Sequence, residues 1–204
     1  MDKLNNESKK VDVTRETHFM DFSMKMLEKR MAQARVGYLS MNLYDPPPAA
    51  TWGEYNDRKI SDTWVNDLFT SFQKSLGHAK EKNCIDVAIR PEWLKNRDAV
   101  LKTIDGLDME EVPEMVFTDE GKAAMSPNKL LMLGGNHRRM AIRKYVDWIQ
   151  EQIMLEEKVL KEMLKEAHSA VETQAAKIED LKKDGDRACY WAVKIYDLGE
   201  RIER

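Results

Sequence analysis

Two adjacent glycines, Gly134 and Gly135, separate a short apolar run from a basic polar cluster, and no other point of the chain restricts the fold as tightly. Leu130, Leu131, Met132 and Leu133 precede them; Asn136, His137, Arg138 and Arg139 follow, and apolar periodicity resumes at Met140, Ala141 and Tyr145. That order reads as a strand, a tight turn and the start of a helix. Glycine lets the backbone take angles closed to other residues and approach a ligand closely. A helix that begins immediately afterwards aims its free N–H groups and the positive end of its dipole at the same spot. The turn is therefore a candidate anion site. Arg138 and Arg139 add permanent charge and fork-shaped donors, and His137 adds a ring that is neutral or charged, so a nucleotide phosphate is the natural guest.

The run GGNHRRMA from Gly134 resembles the signature loop of the ParB/sulfiredoxin superfamily, whose members carry a GERRxRA-type or a GGCHR-type motif at this strand-to-helix turn. The match is closer to the second. Upstream, NDRKISDTWVNDLFTSFQKSLG followed by CIDVAIRP resembles the ParB-type segment in which an N-P-R turn, a helix and a hydrophobic strand precede the glycine loop. The order agrees and the spacing is longer. The resemblance spans roughly residues 36–145, extending at most to Asp197. It implies an α+β fold with a small mixed sheet of the ParB/sulfiredoxin type packed on helices, a nucleoside triphosphate (ATP or CTP) with magnesium as the ligand, and Arg58 and Ser71 as further phosphate contacts beside Gly134, Gly135, Asn136, His137, Arg138 and Arg139. On residue type alone, Arg58 reads as a surface arginine and Ser71 as a serine on a helix face.

The resemblance also bears on chemistry. Sulfiredoxins hold a nucleophilic cysteine where this chain has Asn136, and an amide has no comparable nucleophilicity, which argues against sulfinic-acid reduction. ParB-type members bind and slowly hydrolyse CTP and clamp DNA, but nothing after Tyr145 shows a helix-turn-helix with a basic face. What remains is a nucleotide-phosphate-binding domain running slow triphosphate hydrolysis or small-molecule phosphotransfer, for which serine-phosphorylating members with a DGHHR-type loop are the nearest precedent. Two alternatives stand beside it: a non-catalytic interaction scaffold of the same fold acting through its charged helix, and a superfamily nuclease.

Along the rest of the chain, residues 1–11 read as a disordered polar tail. Residues 12–35 form an N-terminal amphipathic helix carrying Phe19, Phe22, Met26, Leu27 and Met31 at helical spacing. Residues 36–204 make the domain itself. Within it, Tyr38 to Leu43 alternates like a strand and stops at Pro46, Pro47 and Pro48. A loop from Trp52 to Arg58 leads to a helix capped by Ser61 or Asp62, with Trp64, Val65, Leu68, Phe69 and Phe72 marking its buried face. Residues 84–89 read as a strand. The acidic stretch up to Asn128 reads as an insertion carrying a short helix at residues 91–100. A long charged helix, continuous or broken once, follows at about residues 147–183, with a weak heptad from Ile153 to Leu181 and an end at Asp184 and Gly185. That face permits a homodimer or protein partner through residues 151–183, and equally a hairpin with the N-terminal helix. A last strand runs from Cys189 to Tyr196.

Composition narrows the partners. A net charge of −3 and a pI near 5.9 supply no global attraction to DNA or to anionic membrane, so DNA is not supported as a partner and the nuclease reading loses ground. Cys84 and Cys189 lie in apolar runs without metal-like spacing and read as buried free thiols. The four histidines are scattered, which points to no structural metal site; Glu110, Glu111, Asp119 and Glu120 read as solvated loop acids rather than magnesium ligands. The N-terminus has no apolar core for a signal peptide and no stretch reaches the length of a membrane span. The expectation is a soluble intracellular protein, cytoplasmic or nuclear.

Overall fold

The structure is a computed structural model that describes residues 26, 29–47, 50–52, 59–124, 130–166 and 169–199. The polar tail, most of the N-terminal helix and Arg58 lie outside the described residues.

Strand alternation in the sequence becomes a five-stranded mixed sheet of order β1-β5-β3-β4-β2. It comprises β1 (Arg35–Asn42), β2 (Ala50–Trp52), β3 (Ile85–Ile89), β4 (Leu130–Met132) and β5 (Tyr190–Asp197). Antiparallel pairing of β1 with β5 sets Leu39 opposite Val193 and Met41 opposite Trp191, while parallel pairing of β3 with β5 sets Ile85 opposite Val193. The period of two then sends all these side chains to one face. There they form the main core with Val65 and Phe72 of α1 (Asp62–Phe72) and with Ala141, Ile142, Tyr145, Val146 and Ile149 of α3 (Asn136–Lys165). α4 (Val171–Cys189) returns antiparallel along α3 and feeds β5 directly.

The opposite face holds Tyr38 and Ala192, and the insertion covers it with Ile104, Met109 and Val112. The same insertion closes the free edge of β1: the Tyr38 N–H donates to Leu101 O at 2.8 Å, the Ser40 N–H to Pro113 O at 2.8 Å, and the Met115 N–H to Ser40 O at 2.8 Å. An unpaired strand edge is a template for aggregation, so the insertion has a physical task.

Several elements differ from the sequence reading. Trp52 ends a strand rather than opening a loop, and the helix expected at residues 91–100 is a pair of single 3₁₀ turns at Pro91–Trp93 and Arg97–Ala99. A short helix, α2 (Asp119–Ala124), lies further on in the insertion. The charged helix takes the once-broken form, as two helices α3 and α4 folded against each other, so its apolar positions Ile153 and Ile178 are used inside the chain. Gly185 does not stop α4, which continues to Cys189. A Cβ on Gly185 would sit 3.3 Å from Ile149 Cγ2, so glycine serves close approach of the two helices there rather than termination. Cys84 and Cys189 are free and half-buried, and burial raises the Cys84 thiol to about 11, which keeps it protonated and unreactive at neutral pH. No helix among the described residues is long and apolar enough to cross a membrane.

His78 sits under this frame, its ring 5.9 Å from that of Trp191, with neither buried ring nitrogen hydrogen-bonded among the described residues. Burial holds its pKa below the ordinary histidine value; Glu110 and Asp108 oppose that shift and Arg187 assists it. The unfolded chain therefore binds a proton that the folded chain refuses. Stability is complete above the ordinary histidine pKa and declines as pH falls through it toward the depressed folded value. Urea midpoints measured at pH 7.5 and pH 5.5 should fall between the two, and His78→Phe should flatten that dependence.

Candidate functional site

The end of β4 delivers the chain to the glycine pair beside the start of β3, where the Leu133 N–H donates to Asp86 O at 3.0 Å. Gly135 has φ 88° and ψ 8°, a left-handed conformation that side-chain-bearing residues adopt only at a cost. A Cβ there would lie 2.7 Å from both Cδ1 and Cγ1 of Ile85. Conformation and space both demand glycine at this position. Gly134 has no such need, since a Cβ on it meets nothing within 4 Å and its φ is outside the left-handed range.

Gly135 is also the N-cap of α3 and carries no side-chain cap. The first intrahelical bond runs from the Arg139 N–H to Gly135 O at 2.9 Å, which leaves the N–H groups of Asn136, His137 and Arg138 without helix acceptors. A second helix begins alongside. Ser61 caps α1, its Oγ accepting the Trp64 N–H at 3.4 Å, and its own N–H donates to His137 Nε2 at 2.9 Å. His137 is thereby the acceptor at Nε2, which assigns its proton to Nδ1. The Trp64 ring lies 5.3 Å from that of His137 and is 55% exposed, although the helical pattern placed it on the buried face. Two helix N-termini thus meet across one histidine, with their dipoles adding at the same place.

The other expected contacts are placed differently. Arg138 points inward: its Nη1 donates to Asn83 O at 2.5 Å and Cys84 O at 3.2 Å, and its guanidinium lies 5.4 Å from the centre of the Trp191 ring. Burial lowers its pKa from the usual arginine value. It braces the loop before β3 rather than facing a ligand at the turn. Arg139, on the next helical position, is also held below its usual value by burial, with Arg143 adding to the effect. Ser71 is exposed near the far end of α1. Ten residues of helix separate it from Ser61, about 15 Å along the axis, so the structure does not bring it to the glycine turn. Replacing Ser71 by alanine should leave both stability and ligand binding unchanged, as read by thermal unfolding and nucleotide titration.

Two participants were not singled out as site residues from the sequence. Ser61 was visible as a cap but not as the donor that fixes His137, and Trp64 carried the signal of an aromatic one turn into a helix without showing its exposure. A cleft of about 210 Å³ lies elsewhere, at the end of β1, with buried Met41 and Met115 and exposed Asp45 and Glu114 in its lining. Two carboxylates make it unsuited to an anion. Among the described residues no group of three or more His, Cys, Asp or Glu is placed to hold a metal ion. Glu110, one of the loop acids, forms an ion pair with Arg187.

No family model, curated protein or solved structure matches the chain.

Proposed function

We propose that the chain is a nucleotide-phosphate-binding domain of the ParB/sulfiredoxin type, in which the turn at Gly134 and Gly135 grips the phosphates. One observation carries the reading: a left-handed glycine with no room for a Cβ starts a 30-residue helix whose first N–H groups have no helix acceptors. Backbone amides at such a bend, reinforced by the dipole of α3 and by the neighbouring N-terminus of α1, favour a phosphate oxyanion over any neutral group. Arg139 adds charge in the first turn, and the exposed face of Trp64 offers a ring to stack on. In this reading Arg138 is a positioning residue.

A magnesium ion accompanying the triphosphate would take most of its ligands from phosphate and water, since the described residues supply no carboxylate cluster for it. The resemblance to hydrolysing and phosphotransferring superfamily members makes slow triphosphate hydrolysis or small-molecule phosphotransfer the associated chemistry. Asn136 at the cysteine position of sulfiredoxins argues against sulfinic-acid reduction.

The test is thermal unfolding of the whole chain with ATP, CTP, GTP or ADP, with and without magnesium. A ligand at one hundred times its dissociation constant stabilises by about 2.7 kcal/mol, equivalent here to about 5–10 °C. A rise of that size with a triphosphate supports the reading; no shift with any of the four at millimolar concentration overturns it.

A further inference from the structure

Beyond nucleotide binding, the outward face of α3 has the makings of an interface. Met154 and Leu155 are 62% and 58% exposed and Val159 is 48% exposed, on the half of α3 that follows its last sheet-buried residue, Ile149. Glu151, Met154, Leu155 and Lys158 are spaced i, i+3, i+4, i+7, so they form one stripe over two turns. The opposite side of α3 is occupied by α4.

Charge pairing is uneven along α3. Nearby acids on α3 are satisfied within the chain: Glu156 with Lys177 at 2.7 Å, Glu157 with Lys182 at 3.5 Å and Glu162 with Lys165 at 2.8 Å. Glu151 and Lys158 have no hydrogen bond or ion pair through their side chains among the described residues. They flank Met154 and Leu155, with the acid toward the sheet and the base toward the hairpin tip.

From this arrangement we infer that the stripe docks a second copy of the same chain, with the two α3 helices antiparallel. A two-fold axis between Met154 and Leu155 sets Glu151 of each copy opposite Lys158 of the other and packs Met154 on Leu155, so each side chain meets its complement twice. Parallel pairing would set glutamate on glutamate and lysine on lysine. A partner with a uniformly basic or acidic helix would satisfy only one of the two charges.

Sedimentation equilibrium of the full chain decides the matter. The wild type should show a concentration-dependent monomer–dimer equilibrium that weakens with salt. Lys158→Glu turns two attractions into two repulsions and should weaken dimerisation on the order of tenfold or more, while the double swap Glu151→Lys with Lys158→Glu should restore it. Leu155→Glu should abolish it without loss of thermal stability, since the side chain is already solvated. A chain that stays monomeric to several hundred micromolar overturns the inference. So does a dimer that Lys158→Glu and Leu155→Glu leave intact, because its contact then lies on another face.

Discussion

Replacing Gly135 by alanine is expected to lower the stability of the fold by about 2–4 kcal/mol, equivalent to about 5–15 °C in Tm for a chain of this size. Two costs combine. A side-chain-bearing residue at φ 88° loses about 1–2 kcal/mol to the clash of its Cβ with the following carbonyl. The new methyl would also lie 2.7 Å from Ile85, a residue 1% exposed at the head of β3, and pushing that side chain off its rotamer adds about 1–3 kcal/mol. Gly134→Ala is the internal control. Nothing lies within 4 Å of a Cβ there, and the expected change is within about 0.5 kcal/mol. Equal effects at the two glycines in urea or thermal unfolding would show that the turn is not built as described.

Truncating Arg138 to alanine is expected to cost about 2–3 kcal/mol, the effect of a brace and not of the phosphate ligand that the glycine-loop resemblance implies. Its guanidinium donates to the carbonyls of Asn83 and Cys84 and covers one face of Trp191, a side chain that is 1% exposed. Hydrogen bonds from a charged donor contribute about 1.5–3 kcal/mol when their acceptors are shielded, and the cation over the ring adds about 0.5–1 kcal/mol. Asn83 O keeps the bond from Trp191 Nε1 at 2.8 Å, which limits the loss. Lysine keeps the charge but not the fork, so Arg138→Lys should recover only part of it. A surface phosphate ligand would behave oppositely, with Tm unchanged and nucleotide affinity lost. Unfolding of the ligand-free variant separates these outcomes.

The two arginines show how far the sequence was legible. Apolar run, glycines, polar cluster and renewed periodicity are local signals, and β4, the turn and α3 follow from them directly. Whether Arg138 faces the turn or the interior depends on where the carbonyls at residues 83–84 and the ring of Trp191 arrive, and those come from segments distant in sequence. The same limit applies to Ser71, whose helix was read correctly while its distance from the turn depended on which end of α1 meets His137. Glycine has two uses, a helix stop and a close helix crossing, and only the position of Ile149 shows that Gly185 serves the second. Of the apolar positions spaced from residue 153 onward, Ile153 and Ile178 are covered where α3 and α4 fold together while Leu164 stays exposed, and the stripe at Glu151 to Lys158 lies on the other side of α3. Trp64 reverses the usual rule, since spacing marked it as buried and the N-terminus of α3 holds it at the surface against His137.

Calorimetric titration of the wild type and of Asn136→Asp with the triphosphate that most raises Tm bears most directly on the central claim. Aspartate is nearly the same shape as asparagine, and at the first position of α3 its charge is favourable to the helix dipole by about 0.3–1 kcal/mol, so the fold should be as stable or slightly more so. The same charge stands where the phosphate is proposed to sit. The account predicts saturable binding by the wild type and at least about a tenfold loss of affinity, 1.4 kcal/mol, in the variant with Tm maintained. Binding of equal strength in both proteins would contradict it, because an anion held by the amides of this turn cannot be indifferent to a carboxylate placed among them.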